Sequence, residues 1–303
     1  HRSRLYMNAT WHILGAGAIG NLWACHLISA GFPVSLILRS EEKLAKLTEQ
    51  GGLLLKNTLY PAGAELADNP GQISQLLITT KAQDTQTAFN SIRQRISDTA
   101  RVIVLQNGMG SQQWITDQLP HADVVWASTT DGVWLEEPFK LVHAGEGYTR
   151  LGNPDKDSYW VEELGRGFLK IELDDDIEQT LWCKLAINCA INPLTAHYQC
   201  QNGELIKNPD YLSEMAQICH EVEAVANAAG IQLFKEPLIK HACDVAELTA
   251  NNYSSMMQDV RLGRTTEIDA ITGYLCRLAE QYAIPTPTNL KYLSKIKKTH
   301  ECI

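Results

Sequence analysis

Over roughly the first half of the chain, short apolar runs alternate with helical periodicity; over the second half only the helical periodicity remains. An apolar run at 11–15 is followed by apolar residues at helical spacing from 18 to 30, which Gly31 closes as a residue free to take positive φ. The run 33–39 precedes a charged helix at 41–50, residues 53–67 read as short strands and turns, and the run 75–81 precedes a helix at 84–96. Further runs lie at 101–107 and 124–129. Near-continuous apolar strands separated by helices predict a parallel sheet covered on both faces. From there the alternation stops. Residues 137–153 read as an antiparallel hairpin, followed by a helix near 158–168 and a strand at 168–173. The acidic run Asp174, Asp175 and Asp176 marks a hinge and a helix start, and helical spacing then covers 177–197, 209–230, 235–258 and 265–283.

The junction after the first strand reads Gly15-Ala16-Gly17-Ala18-Ile19-Gly20. Gly15 permits a sharp exit from the strand, Gly17 lets a pyrophosphate approach the backbone, and Gly20 lets helix and strand pack closely. The helix start then presents free N–H groups and the positive end of its dipole. This strand–turn–helix context predicts a Rossmann-type dinucleotide-binding domain over 7–174, followed by an all-helical domain over 175–303, an α/β architecture overall. The second strand ends at Arg39, where an acid would select NAD. A cation there suits the 2′-phosphate of NADPH. Lys81 and Asn107 end two further strands, and polar residues at such ends line the ligand crevice of open α/β sheets.

Lys184, Asn188 and Asn192 stand four residues apart and share one face of a helix. That helix is otherwise apolar nearly all round, so its polar stripe is expected to line a cleft. A snorkelling lysine with two bridging asparagines would give the same pattern. Downstream, Ser255 and Asp259 are again four apart, Gly263 interrupts a helix, and Thr265 or Thr266 can cap the next. Glu267 falls in the first turn of that helix, where the dipole favours an acid whatever its role.

The net charge of −9 argues against nucleic acid and anionic lipid as partners. No apolar run is long enough for a membrane span. The eight cysteines form no C-x-x-C pair, which predicts reduced thiols in a cytoplasmic protein and no metal site. The opening HRSRLY lacks the apolar core of a signal peptide and reads as a remnant of expression, with Met7 as the natural start.

Taken together, the glycine turn, Arg39, TKAQ at 80–83, QNGMG at 106–110, WCKLAINCAINPLTA at 182–196, NGEL at 202–205, SSMMQD at 254–259 and TEID at 266–269 resemble the ketopantoate reductase (2-dehydropantoate 2-reductase) family. The order is kept from Ile13 to about Glu280. The resemblance implies NADPH-dependent reduction of a 2-keto acid, ketopantoate, to pantoate in pantothenate biosynthesis, by a monomer or homodimer. It implies that Gly15, Ala16, Gly17, Ala18, Ile19 and Gly20 hold the pyrophosphate and Arg39 the 2′-phosphate. Lys81, Asn107 and Glu267 would lie against the cofactor. Lys184 would be the proton donor, with Glu267 supporting the active-site geometry. Asn107, Lys184, Asn188, Asn192, Asn202 and Ser255 would contact the substrate. Two alternatives stay open: another 2-keto acid or hydroxyacid dehydrogenase of the same two-domain plan, and a sensor that binds NADPH without turnover. The Asn-x-x-x-Asn-Pro extension argues against the first, and a lysine embedded in an apolar helix against the second.

Overall fold

The computed structural model describes residues 8–301; Met7, the HRSRLY segment and Cys302 lie outside the described residues. The first apolar run becomes β1 (Trp11–Leu14), and the helical spacing behind it becomes α1 (Ala18–Ser29). The chain continues through β2 (Val34–Leu38), α2 (Glu41–Gln50), β3 (Leu53–Leu55), β4 (Thr58–Tyr60), β5 (Gly63–Leu66), β6 (Ile73–Ile78), α3 (Thr85–Ile92), β7 (Ile96–Leu105), α4 (Ser111–Gln118) and β8 (Asp123–Thr129). β9 (Gly132–Glu137), β10 (Lys140–Gly145), β11 (Thr149–Gly152) and β12 (Ile171–Leu173) follow.

Eight strands form one sheet in the order β12-β11-β8-β7-β6-β1-β2-β5, and β4-β3-β10-β9 form a second. β1 pairs in parallel with both β2 and β6, so the chain leaves it on opposite sides, the switch point at which such sheets take ligands. Leu36, Ile13, Leu77, Ile103 and Val125 make one row across β2, β1, β6, β7 and β8. All five are fully buried. This row explains the unbroken apolar runs: strands covered on both faces have no polar side to alternate with. Next to it, the Gln106 amide nitrogen lies 2.6, 2.8 and 2.6 Å from the Thr80 carbonyl and the Thr80 and Thr85 hydroxyls, three acceptors that share its two hydrogens. It thereby fixes the exits of β6 and β7.

The chain divides into two units. One holds the residues up to Gln106 with Ser111–Ile177, the other Asn107–Gly110 with the residues from Glu178 onward. The second contains α5 (Ile177–Tyr198), α6 (Glu204–Lys207), α7 (Pro209–Ala228), α8 (Leu238–Leu248), α9 (Ser255–Arg261), a π-helical turn at Asp269–Gly273 that runs into α10 (Tyr274–Gln281), and α11 (Pro287–Glu301). Among the described residues no strand follows β12.

Several elements differ in extent from the periodicity. The helix expected near 158–168 is a 3₁₀ helix, Tyr159–Arg166, whose buried residues Val161 and Leu164 are three apart, the repeat of that helix. The helix expected at 84–96 stops at Ile92, and β7 already starts at Ile96. The span 235–258 breaks into α8 and α9. Between them the Ala250 and Asn252 carbonyls accept from the Gly203 and Asn202 N–H groups, both at 3.0 Å, instead of continuing a helix. α11 lies beyond the last span of helical periodicity. Tyr292 and Ile296 are its only fully buried apolar side chains, too few to show as periodicity.

His26 ties α1 to the 3₁₀ segment. Its Nε2–H donates to the Leu164 carbonyl at 2.8 Å, and its Nδ1 accepts from the Leu169 N–H at 3.0 Å. Full burial holds its pKa down at about 4. The neutral form is therefore the folded form. Its contribution to stability is complete above about pH 6.5 and is lost as pH falls toward 4, at about 1.4 kcal/mol per pH unit. Urea unfolding across that window should show this slope in the parent and a shallower one in His26→Gln. Equal slopes would refute the assignment.

Candidate functional site

In the first unit the glycine turn builds a phosphate cradle. Gly15 sits at φ +105, and a Cβ there would lie 2.6 Å from the Thr80 nitrogen. Its carbonyl accepts from the Thr79 hydroxyl at 2.6 Å. A Cβ at Gly20 would lie 2.0 Å from that same carbonyl, so the helix can approach β1 only with glycine. Gly17 is different: nothing lies within 4 Å of the position its Cβ would take. It caps α1 with no side-chain cap and no acid in the first turn. Ala18 and Ile19 begin the helix there. Open space before an uncapped, unopposed helix start fits a pyrophosphate.

Arg39 is exposed at the end of β2, and its Nη2 pairs with Asp84 Oδ2 at 3.2 Å. Lys81 does not end β6 but lies exposed three residues past it, immediately before the 3₁₀ turn Ala82–Asp84.

In the second unit α5 carries Lys184 and Asn188, both half-buried, and Asn192, which is buried. Trp182, Leu185, Ala186, Cys189 and Ile191 around them are buried. Desolvation in this apolar setting lowers the Lys184 pKa to about 8, and the nearby Glu267 carboxylate limits the fall. The Glu267 Oε2 also accepts from the Asn107 amide at 3.4 Å. Asn107 is held in place by the residues after it. The Met109 N–H donates to the Ala270 carbonyl at 3.0 Å, and a Cβ on Gly108 would lie 2.5 Å from that oxygen. The second unit thus groups Asn107, Glu267 and Lys184, residues far apart in sequence.

Asn202 is buried in the turn before α6; its amide donates to the Thr249 hydroxyl at 2.9 Å, while its Oδ1 is buried without a hydrogen-bond partner. Ser255 opens α9 and is exposed. Its neighbour Ser254, not Ser255, is the cap of that helix. The Ser254 hydroxyl caps α9 by accepting from the Met257 N–H at 3.1 Å, and it lies 2.7 Å from the Thr195 hydroxyl on α5. Thr195 in turn donates to the Asn192 carbonyl at 3.1 Å. The signal was the serine pair before an apolar turn, since the first serine of such a pair is a natural cap. Asp259 is buried and pairs with Arg264 at 3.0 Å. Thr266, not Thr265, turns inward, and its hydroxyl accepts from the Ile268 N–H at 3.3 Å.

A cavity of about 230 Å³ also lies in the first unit, lined by residues that include Lys56, Tyr60, Asp131, His143 and Lys170; no sequence-predicted site residue lines it. Among the described residues no group of three or more His, Cys, Asp or Glu could hold a metal, and no helix is long and apolar enough to cross a membrane.

The profile of ketopantoate reductase PanE/ApbA matches residues 11–156, and that of its C-terminal domain matches 176–300. The chain belongs to the ketopantoate reductase family. It is 35% identical over 291 residues to the 2-dehydropantoate 2-reductase of Vibrio cholerae, covering 94% of this chain and 96% of that one. It is 31% identical to the 2-dehydropantoate 2-reductase of Archaeoglobus fulgidus over 297 residues, with coverage of 94% and 96%. Among solved structures, the PanE/ApbA family ketopantoate reductase of Ralstonia eutropha superposes with a TM-score of 0.88 at 26% identity, over 97% of this chain and 99% of that one. D-mandelate dehydrogenase, solved in complex with NADH, superposes with a TM-score of 0.87 at 25% identity, over 96% and 99%. Membership of the ketopantoate reductase family agrees with the α/β domain and helical region described above.

Proposed function

We propose that this ketopantoate reductase family chain reduces ketopantoate to pantoate with NADPH, in the cytoplasm, as a step in making pantothenate. The observation that carries the reading is Lys184: an ammonium in an apolar helix, its pKa lowered to about 8, beside a carboxylate that an asparagine amide also contacts. The bound dinucleotide supplies a hydride. The chain's own residues do the rest. The turn from Gly15 to Gly20, with Ala16, Ala18 and Ile19, holds the pyrophosphate through backbone N–H groups, and Arg39 pairs with the 2′-phosphate. Lys81 and Asn107 would help to hold the dinucleotide. As hydride reaches the ketone carbon, charge develops on its oxygen. The Lys184 ammonium stabilises that charge and donates a proton to the same oxygen, leaving the neutral amine to be reprotonated from solvent. Glu267 keeps Lys184 charged and steers Asn107. Asn188, Asn192, Asn202 and Ser255 orient the hydroxyl and carboxylate of the substrate without adding a negative charge.

The test is loss of reduced-nicotinamide absorbance with ketopantoate, beside pyruvate, 2-ketoisovalerate and a no-substrate control. Turnover selective for ketopantoate is the expected result. NADPH binding without turnover on any of the three acids would discard the substrate assignment.

A further inference from the structure

Asp84 closes the 3₁₀ turn Ala82–Asp84 and leads directly into α3 with helical backbone, so it is not placed as an ordinary cap. Its side chain makes no bond to a backbone N–H of the first turn. The carboxylate is turned to Arg39 instead, Oδ2 to Nη2 at 3.2 Å, with side-chain exposures of 69% for Arg39 and 43% for Asp84. Ion pairs this exposed add little to stability, so the pair is not explained as a structural tie. Its place is informative. Arg39 directly follows β2, where this type of sheet meets the adenosine ribose.

We propose that Asp84 sets how strongly the chain distinguishes NADPH from NADH. The inference rests on Arg39 being the partner of the 2′-phosphate. The Arg39 guanidinium carries five N–H donors, and its Nη2 already faces Asp84. A phosphate that binds there must displace Asp84 or share the guanidinium with it. Either way a carboxylate faces a group bearing close to two negative charges. The unphosphorylated dinucleotide presents a hydroxyl there, which donates to a carboxylate without repulsion. Arg39 therefore sets the direction of the preference, and Asp84 limits its size. An acid whose carboxylate is within reach of the cofactor-discriminating arginine acts as that arginine's resident counter-ion.

Binding of NADPH and of NADH to the full chain, without keto acid, is measured by calorimetry for the parent, Asp84→Asn and Arg39→Ala. Asp84→Asn should bind NADPH about three- to tenfold tighter, with NADH unchanged or weaker, and the gain should shrink as salt rises from about 0.05 to 0.5 M. An unchanged or weakened NADPH affinity in Asp84→Asn overturns the proposal, the weakened case making Asp84 a support for Arg39. An Arg39→Ala variant that still prefers NADPH by the parent margin overturns the reading beneath it, whatever Asp84 does. Thermal unfolding of both variants at the parent temperature establishes that they fold alike.

Discussion

Lys184→Ala is expected to lower kcat for keto acid reduction by about 10²–10⁴ while NADPH still binds. The side chain is the one ammonium on the polar stripe of α5, and burial has already moved its pKa down to about 8, toward neutrality. A general acid works best there, because it is still mostly protonated yet releases its proton readily. The pH profile gives a second readout. In the direction of reduction, kcat/KM should be flat below about pH 8 and fall about tenfold per unit above it, as the ammonium is lost. In the direction of oxidation the same group must start as the free amine, so the rate should rise toward a plateau above about pH 8. Lys184→Arg keeps a cation but cannot release a proton near neutrality, so it should remain slow and lose the alkaline limb. A normal kcat in Lys184→Ala would sink the mechanism.

Glu221→Ala should destabilise the chain by about 3–5 kcal/mol without contact with any proposed site residue. Glu221 is buried on α7 and serves the start of α11. Its Oε2 accepts from the Thr288 N–H at 3.0 Å, and its Oε1 accepts from the Asn289 N–H and side-chain amide at 2.9 and 3.0 Å. Truncation would leave these donors buried without partners, and it would remove the negative charge that the helix start favours. Urea unfolding checks it: the midpoint should fall, and Glu221→Gln, which keeps one acceptor oxygen, should lie between. A loss under about 1 kcal/mol in the alanine variant would mean that water replaces the carboxylate.

Glu221 also shows where sequence reading stops. α11 depends on an acid 66 positions away from its first residue, Pro287, and has few buried apolar residues of its own. No local pattern announces it. The central strands were legible for the opposite reason. Ile13, Leu36, Leu77, Ile103 and Val125 are apolar because both faces are covered, and that leaves an unbroken run in the sequence. The glycine turn was equally plain, since steric need at Gly15 and Gly20 admits no other residue. On α5 the four-residue spacing put Lys184, Asn188 and Asn192 on one face. Spacing could not say that Asn107 and Glu267 meet, because 160 residues separate them. Asn202 came only from resemblance, Ser255 stood out by its spacing to Asp259 and took a role only from resemblance, and that Ser254 rather than Ser255 is the cap is not visible in one dimension.

Asn107–Gly110 has a consequence for anyone who recombines these proteins. The four residues follow β7 in the chain but belong by contact with the helical unit, bonded to Glu267 and Ala270. A chimera cut only near residue 177 would join a helical half from one parent to an Asn107–Gly110 turn from the other. The seam is therefore not a single point. A clean exchange must graft two segments, the residues from Glu178 onward and this tetrapeptide with them. Homologous modules swapped without it should lose fidelity at the amide that faces Glu267 before they lose the fold.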